Sequence, residues 1–163
     1  MPTETERKFL VQSDGWRSEA GPPRSLRQFY LGIREAFSMR VRIADGTQAW
    51  LTIKSGKGIV RHEYEYAIPL VDALELEAQA VGSVIEKRRF EVPHGRHTVE
   101  VDVFAGVLAP LVLAEIEAED AAAVVELPAW LGPEVTHDGA YTNAALALNG
   151  LPARHSRAEA DAS

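Results

Sequence analysis

At 163 residues, the chain has the length of a single domain with a sizeable core, and its 46% apolar and 25% charged residues are ordinary for a globular protein. The lack of cysteine excludes disulfides and thiolate chemistry, and no apolar run approaches the ~20 residues of a membrane-spanning helix. The net charge of −7 argues against non-specific binding to duplex nucleic acid but leaves room for a small phosphorylated ligand. We therefore expect a cytoplasmic protein with no membrane partner and no nucleic-acid partner.

Eight segments have the composition and the apolar–polar alternation of β-strands. The alternation is clearest over residues 37–44, where every second residue is apolar. Asp45-Gly46-Thr47 and Pro93-His94-Gly95 are turn sequences, and each predicts a hairpin between the strands that flank it. The predicted strands cover residues 3–11, 25–33, 37–44, 48–54, 60–69, 83–93, 97–105 and 111–118.

Four short segments predict helices in the longer links and near the C-terminus. In the second, which is rich in Ala, Leu and Glu, Asp72 is placed as a cap and Gly82 as a stop. The last is Ala-rich and is closed by Asn149-Gly150. The predicted helices cover residues 13–20, 71–81, 121–127 and 142–148.

The order of these elements favours a mainly β fold of the α+β kind with a largely antiparallel sheet. Eight strands are also the number at which a closed barrel has an interior just wide enough for side chains or one small ligand, although the strands alone would fit a sandwich as well. We expect one domain over residues 1–151. The polar sequence that follows predicts a disordered tail over residues 152–163.

Like charges recur two residues apart on the predicted strands. Because successive strand side chains point to opposite faces, each pair lies on one face, about 7 Å apart, where two like charges repel by roughly 2 kcal/mol at an effective dielectric of about 20. A wet strand face explains any single pair, but such a face usually mixes the two signs. The segregation of sign by strand predicts an enclosed polar surface that binds a ligand. The pairs are Glu4/Glu6, Arg40/Arg42, Glu63/Glu65, Lys87/Arg89, Glu100/Asp102 and Glu115/Glu117.

The bases and the acids on these strands suit different ligands. Six bases exceed what one carboxylate or sulfate needs and fit a chain of phosphates. The carboxylates suit Mg²⁺ or Mn²⁺, hard cations that commonly bridge to substrate phosphates. A metal beside a polyphosphate is the arrangement that phosphoryl transfer needs. The six bases are Lys8, Arg40, Arg42, Lys54, Lys87 and Arg89.

A series of short motifs follows the chain in order. They are Glu4-Thr5-Glu6-Arg7-Lys8, Gln28-Phe29-Tyr30-Leu31, Met39-Arg40-Val41-Arg42, Leu51-Thr52-Ile53-Lys54, Arg61-His62-Glu63-Tyr64-Glu65, Lys87-Arg88-Arg89-Phe90, Glu100-Val101-Asp102-Val103-Phe104, Ala114-Glu115-Ile116-Glu117 and Tyr141-Thr142-Asn143. Together they resemble the strand signatures of the CYTH superfamily, the triphosphate tunnel metalloenzymes, the first being similar to the ExExK signature of that family. The resemblance spans nearly the whole chain.

This resemblance implies a closed eight-stranded antiparallel β-barrel whose tunnel binds a triphosphate and a divalent metal, Mg²⁺ or Mn²⁺. It implies that the six bases named above hold the phosphates, and that Lys8 pairs with Tyr30 as a catalytic dyad. The implied metal ligands are Glu4, Glu6 and Glu117, with Glu115 or Asp102 close by. Glu63, Glu65 and Glu100 are implied as supporting residues.

Members with this short architecture are typically inorganic triphosphatases, so the resemblance implies hydrolysis of tripolyphosphate to pyrophosphate and phosphate by metal-activated water. Three alternatives stay open: a thiamine triphosphatase, a class IV-type adenylyl cyclase, and a non-catalytic polyphosphate-binding domain. Trp50 shares its strand face with Thr52 and Lys54, where an aromatic ring could stack on thiamine or adenine. The sequence also leaves a homodimer open.

Overall fold

The structure is a computed structural model that describes residues 5–56, 62–118 and 126–153. Nine strands form one sheet in the order β5-β4-β3-β2-β6-β7-β8-β1-β9, and every neighbouring pair is antiparallel. The strands are β1 (Thr5–Val11), β2 (Arg24–Arg34), β3 (Phe37–Ala44), β4 (Gln48–Ser55), β5 (His62–Ile68), β6 (Val81–His94), β7 (His97–Phe104), β8 (Val112–Ala118) and β9 (Leu131–Glu134). The mainly β, antiparallel prediction is confirmed.

The prediction of a closed eight-stranded barrel is wrong. A ninth strand, β9, pairs with β1 through Phe9↔Glu134 and Val11↔Leu131, and so occupies the strand edge that closure would have needed. Between β5 and β9, the two ends of the sheet, no ladder forms within the part of the chain that the structure describes. The sheet is therefore open, with one edge at β5 and the other at β9.

The sheet nevertheless curls, so that charges on strands far apart in its order interact across one of its faces. Glu6 on β1 and Lys54 on β4 are separated by five strands in the sheet order, yet each shifts the pKa of the other. The registers place Glu6 of β1 and the like-charged pairs of β3, β5, β6, β7 and β8 on this same face. We call it the concave face.

The apolar residues pack in three clusters around this charged face. The first lies on the convex side under residues 13–20, with Trp16 edge-on to Phe90 at 4.9 Å between ring centroids. Another lies on the convex side under the first helix and includes Phe29 and Val41. The remaining cluster includes Tyr30 and residues of the C-terminal helix, and it fills one end of the concave face. The charged surface is thus bounded at that end by apolar packing.

Two helices and two glycines fix how the chain returns to the sheet. The helices are α1 (Leu70–Leu76) and α2 (Asn143–Asn149). Thr142 caps α2 by accepting a hydrogen bond from the Ala145 amide at 3.1 Å, and Gly150 ends it with φ 74°. Gly82, in β6, has φ 77°, and a Cβ there would lie 2.5 Å from the carbonyl oxygen of Ala147. Only glycine lets α2 approach β6 this closely.

The helix predictions are partly corrected. Residues 13–20 form successive turns with i+3 to i backbone hydrogen bonds, not a helix, and Trp16 within them is anchored in the core. The helix predicted over 71–81 is α1 followed by a 3₁₀ turn, and Gly82 lies inside β6. The helix predicted over 142–148 is confirmed as α2. The predicted helix over 121–127 and the predicted tail lie largely outside the described residues.

Candidate functional site

The concave face brings together the predicted site residues that the structure describes. The registers place an acid and a lysine on β1, acids on β8 and β7, bases on β6, arginines on β3, and a lysine of β4 opposite acids of β5. Glu4 lies outside the described residues. The others on this face are Glu6, Lys8, Arg40, Arg42, Lys54, Glu63, Glu65, Lys87, Arg89, Glu100, Asp102, Glu115 and Glu117.

The bases of β6 are held by carboxylates of β7. Asp102, only 3% exposed, accepts a fork of hydrogen bonds from Arg89 at 2.8 and 2.9 Å and lies 2.8 Å from Lys87 Nζ. A second carboxylate, Glu100, lies 2.9 Å from Arg89 Nη1. Both oxygens of Asp102, predicted near the metal, are thus engaged by bases.

Burial and charge shift the pKa values of this cluster in opposite senses. Burial lowers the pKa of Lys87 to about 8, against the attraction of Asp102. Burial also opposes ionisation of Asp102, but Lys87 and Arg89 outweigh it and hold the pKa of that carboxyl well below its ordinary value. Lys87 Nζ also donates to Asn143 Oδ1 at 3.3 Å, so this buried lysine ties α2 to the sheet.

The arginines of β3 are held by neutral oxygens instead. Arg42 donates from Nε and Nη2 to Gln28 Oε1 at 3.0 and 2.9 Å, and Arg40 Nη2 lies 3.5 Å from Thr52 Oγ1. Within the described part of the chain, neither arginine is in a salt bridge with a carboxylate. Burial, followed by the charges of Arg40 and Arg89, lowers the pKa of Arg42 to about 10. Two crowded cations without a carboxylate partner form an anion-binding surface.

The β4–β5 side of the face pairs a lysine with acids. Lys54 is the register partner of Glu63, and burial followed by the charge of Arg40 lowers its pKa. Thr52 Oγ1 donates to Glu65 Oε2 at 3.2 Å, which links the arginine side of β3 to β5 through a hydroxyl. Both predicted supporting acids of β5 therefore lie next to the basic surface.

The carboxylates of β1 and β8 crowd one another. Glu6 is the register partner of Glu117, and its pKa is raised by burial, then by Glu115 and, less strongly, by Glu117. Such mutual repulsion is relieved by a divalent cation, and carboxylate oxygens are the donors that Mg²⁺ and Mn²⁺ prefer. The donors therefore fit in kind, although within residues 5–56, 62–118 and 126–153 no three side chains of a ligating type converge into a metal site.

Lys8 and Tyr30, the predicted dyad, have different partners here. Lys8 Nζ lies 3.6 Å from Glu115 Oε1 and donates to the carbonyl oxygen of Tyr141 at 3.1 Å. The buried Tyr30 hydroxyl interacts with Arg40, and burial raises its pKa against that attraction. No hydrogen bond joins Lys8 to Tyr30 in the described residues, and the dyad stays a prediction.

A cavity of about 160 Å³ opens on this face and shows which residues the sequence reasoning missed. Trp50 lines it, as its strand parity predicted, together with Arg42 and Arg89. Arg24 also lines it, although it precedes the predicted strand by one residue. The sequence reasoning also gave no role to Gln28, which contacts Arg42, or to Asn143, which contacts Lys87, although both lie in the motifs quoted above. The sequence does not reveal the strand register that brings Gln28 beside Arg42.

Comparison with known proteins identifies the family. The family model for the CYTH domain matches residues 2–140. The chain belongs to the CYTH family. This CYTH protein is 42% identical over 151 residues to an inorganic triphosphatase of Acetivibrio thermocellus, covering 91% of the chain and 96% of that relative. It is 43% identical over 154 residues to an inorganic triphosphatase of Nitrosomonas europaea, covering 90% and 98%.

Solved structures agree with this assignment. The crystal structure of the inorganic triphosphatase NE1496 superposes with a TM-score of 0.70 at 36% identity, covering 93% of this CYTH protein and 99% of that chain. Among the described residues, no helix is long and apolar enough to cross a membrane. The predicted family is confirmed.

Proposed function

We propose that this CYTH protein hydrolyses inorganic tripolyphosphate to pyrophosphate and phosphate with a divalent cation, Mg²⁺ or Mn²⁺. The observation that carries the proposal is the concave face itself, where Arg40 and Arg42 have no carboxylate partner among the described residues while Glu6, Glu115 and Glu117 crowd one another. The first surface suits phosphate oxygens and the second suits a cation. The relatives named inorganic triphosphatase support the same reaction.

In this proposal, the bases divide the work of binding the substrate. Arg40, Arg42 and Lys54 bind phosphate oxygens directly, since the described residues leave the two arginines without a carboxylate. Arg89 keeps its fork on Asp102 and lines the cavity, with its Nη1 held 2.9 Å from Glu100. Lys87, whose side chain is 0% exposed, does not contact the substrate and contributes only its positive charge to the concave face. The water oxygen bonds to the terminal phosphorus, the bridging P–O bond breaks, and pyrophosphate leaves.

The cation would be held by carboxylates of β1 and β8. Glu6 and Glu117 are register partners there, and Glu115 is the register partner of Lys8. Glu4, implied by the ExExK signature, is proposed to complete the set. When bound, such a cation polarises a phosphoryl oxygen and makes water a better nucleophile. Lys8, anchored between Glu115 and the Tyr141 carbonyl, is proposed to stabilise charge that develops on the leaving pyrophosphate.

The chemistry of the concave face favours an inorganic chain, because the charged side chains along it suit phosphate oxygens and a cation. The cavity of about 160 Å³ is one part of that face, since Arg40 and Lys54 lie outside its lining. One observation favours the second candidate: Trp50 lines the cavity and offers a ring on which thiamine or adenine could stack.

A substrate panel tests the proposal. Wild-type protein is incubated with Mg²⁺ or Mn²⁺ and tripolyphosphate, thiamine triphosphate, ATP or pyrophosphate, and both phosphate and cyclic nucleotide are measured. We expect the highest kcat/KM for tripolyphosphate and no release from pyrophosphate. Preference for thiamine triphosphate or ATP would replace the proposal with the organic substrate, and tight tripolyphosphate binding without turnover would make the protein a non-catalytic binder.

Several expectations from the sequence stay predictions. These are a domain over residues 1–151 with a disordered tail over 152–163, a cytoplasmic location, the lack of nucleic-acid partners, and a homodimer. The acidic net charge of −7 supports the expectation about nucleic acids.

A further inference from the structure

The bases of the concave face differ in the chemistry of the groups that hold them. Asp102 and Glu100 hold the β6 bases, so much of that positive charge is compensated before any ligand arrives. On β3, an amide oxygen holds Arg42 and a hydroxyl oxygen lies beside Arg40. The side chains of the bases are oriented on both strands, but among the described residues only the arginines of β3 keep a positive charge that no carboxylate compensates.

Gln28 is the group that orients Arg42. It is 0% exposed, and its Oε1 accepts both the Nε and the Nη2 hydrogen bonds of Arg42. Its own Nε2 is buried and has no hydrogen-bond partner among the described residues. An unsatisfied buried donor lowers stability, so its presence here needs a reason.

A carboxylate at this position would make the same two hydrogen bonds and would make them stronger. It would also replace the unsatisfied amide donor by a second carboxylate oxygen, whose charge Arg42 would compensate. What it would remove is the net positive charge of Arg42. A neutral acceptor keeps that charge for an anion, at the cost of one buried donor that has no partner among the described residues.

We propose that Gln28 is a positioning residue that fixes the Arg42 guanidinium through a neutral oxygen and thereby keeps its whole charge available to a phosphate group of the substrate. This inference rests on the proposed function for the identity of the anion. Thr52 has the same relation to Arg40 from the other side, because its hydroxyl lies 3.5 Å from Arg40 Nη2 and donates to Glu65.

The decisive variants are Q28E, Q28M and the control Q79E. Q28E keeps the acceptor of Arg42 and changes only charge, whereas Q28M removes the acceptor without adding charge. Q79E makes the same chemical change on an exposed residue of the 3₁₀ turn after α1. The binding of tripolyphosphate without metal is measured by calorimetry, together with KM, kcat and the melting temperature.

We expect Q28E to raise the dissociation constant and KM by about tenfold or more, and kcat to change far less, because a contact made equally in ground and transition states is lost. Q28M should weaken binding about threefold, and Q79E should match the wild type. A purely structural role for Gln28 predicts the reverse order, with Q28M worse than Q28E.

Two results would overturn the inference: Q28E binding tripolyphosphate as tightly as Q79E, or wild-type protein failing to bind tripolyphosphate. If Q28E does not fold, a folded Q28M with unchanged affinity would overturn it too. Binding and turnover are read separately. A wild type that binds but does not hydrolyse ends the proposed function while the dissociation constants still judge the role of Gln28.

Discussion

Asp102 shows how one buried carboxylate organises the basic side of the site. It accepts hydrogen bonds from Arg89, attracts Lys87 at 2.8 Å, and is almost fully buried. A buried charge cluster is stable only while the charges compensate one another, because each desolvated ion costs several kcal/mol when it is left alone. Removal of one member should therefore cost more than the contacts themselves are worth.

Asp102→Asn should destabilise the fold by about 3–5 kcal/mol, since two buried bases lose their counter-charge. The pH sign follows from the lowered pKa of Asp102, whose contribution is present above about pH 4 and is lost as the pH falls toward its folded pKa. The free energy of unfolding is measured with urea at several pH values. An Asp102→Asn protein as stable as the wild type at pH 7 would contradict this account of the cluster.

Lys87 gives a second pH dependence, which has the same sign but lies at a higher pH. Its pKa is about 8 in the folded protein and ordinarily 10.5, so the unfolded chain binds more protons between these values. Stability should therefore rise with pH across roughly 8 to 10.5 through this group. The difference in unfolding free energy between wild type and Lys87→Met should therefore change with pH across that range. A difference that does not change with pH would contradict the lowered pKa of Lys87.

At the scale of elements, the glycine of β6 governs where the C-terminal helix sits. Gly82 meets the backbone of α2 at Ala147, and α2 in turn presents Asn143 to Lys87. The contact is between backbones, which cannot yield as the end of a flexible side chain can. A disturbance at Gly82 should therefore reach the site through α2.

Gly82→Ala should destabilise the protein more than Gly95→Ala. Both glycines have positive φ, 77° and 60°, so both substitutions carry a backbone cost of about 1–2 kcal/mol. Only Gly82 adds a clash, because no atom of the described residues lies within 4 Å of a Cβ at Gly95. The difference between the melting temperatures of the two variants measures the effect of this clash on stability. Equal decreases in melting temperature would show that α2 moves aside freely.

The sequence predicted most strands because alternation is a local signal, as over residues 37–44. It missed β9, whose four residues include Gly132 and Pro133 and do not alternate; proline is tolerated there because β9 is an edge strand. A helix was predicted over residues 13–20 because helix-capping and helix-ending residues are also local signals. The burial of Trp16, which shapes this segment, is a tertiary contact that local signals do not show.

At the scale of the whole molecule, the sequence predicted which side chains share one face of the sheet, but it did not predict whether the sheet closes into a barrel. Strand parity put Arg40, Lys87 and Glu6 on one face, and the registers agree. Closure depends on which strand reaches the edge of β1, and β9 does so from far along the chain. Parity also could not tell that Asp102 faces bases and not other acids, because that depends on the register of β6 against β7.

In the proposed function, the charged side chains of the concave face act on the substrate, and charged side chains elsewhere on the sheet do not. Arg88 and Arg89 are neighbours on β6 that point to opposite faces; Arg88 lies exposed over the Phe90 ring at 5.4 Å, whereas Arg89 holds Asp102. They form a matched pair of the same residue type on the same strand. Only one of them should matter to the substrate.

The most direct measurement is kcat/KM for phosphate release from tripolyphosphate with Mg²⁺ or Mn²⁺ in wild type, Arg89→Ala and Arg88→Ala. We expect Arg89→Ala to lose roughly a hundredfold, as for the removal of one preorganised donor, and Arg88→Ala to stay close to wild type. Equal losses in the two variants, or no phosphate release by the wild type with either metal, would contradict the account.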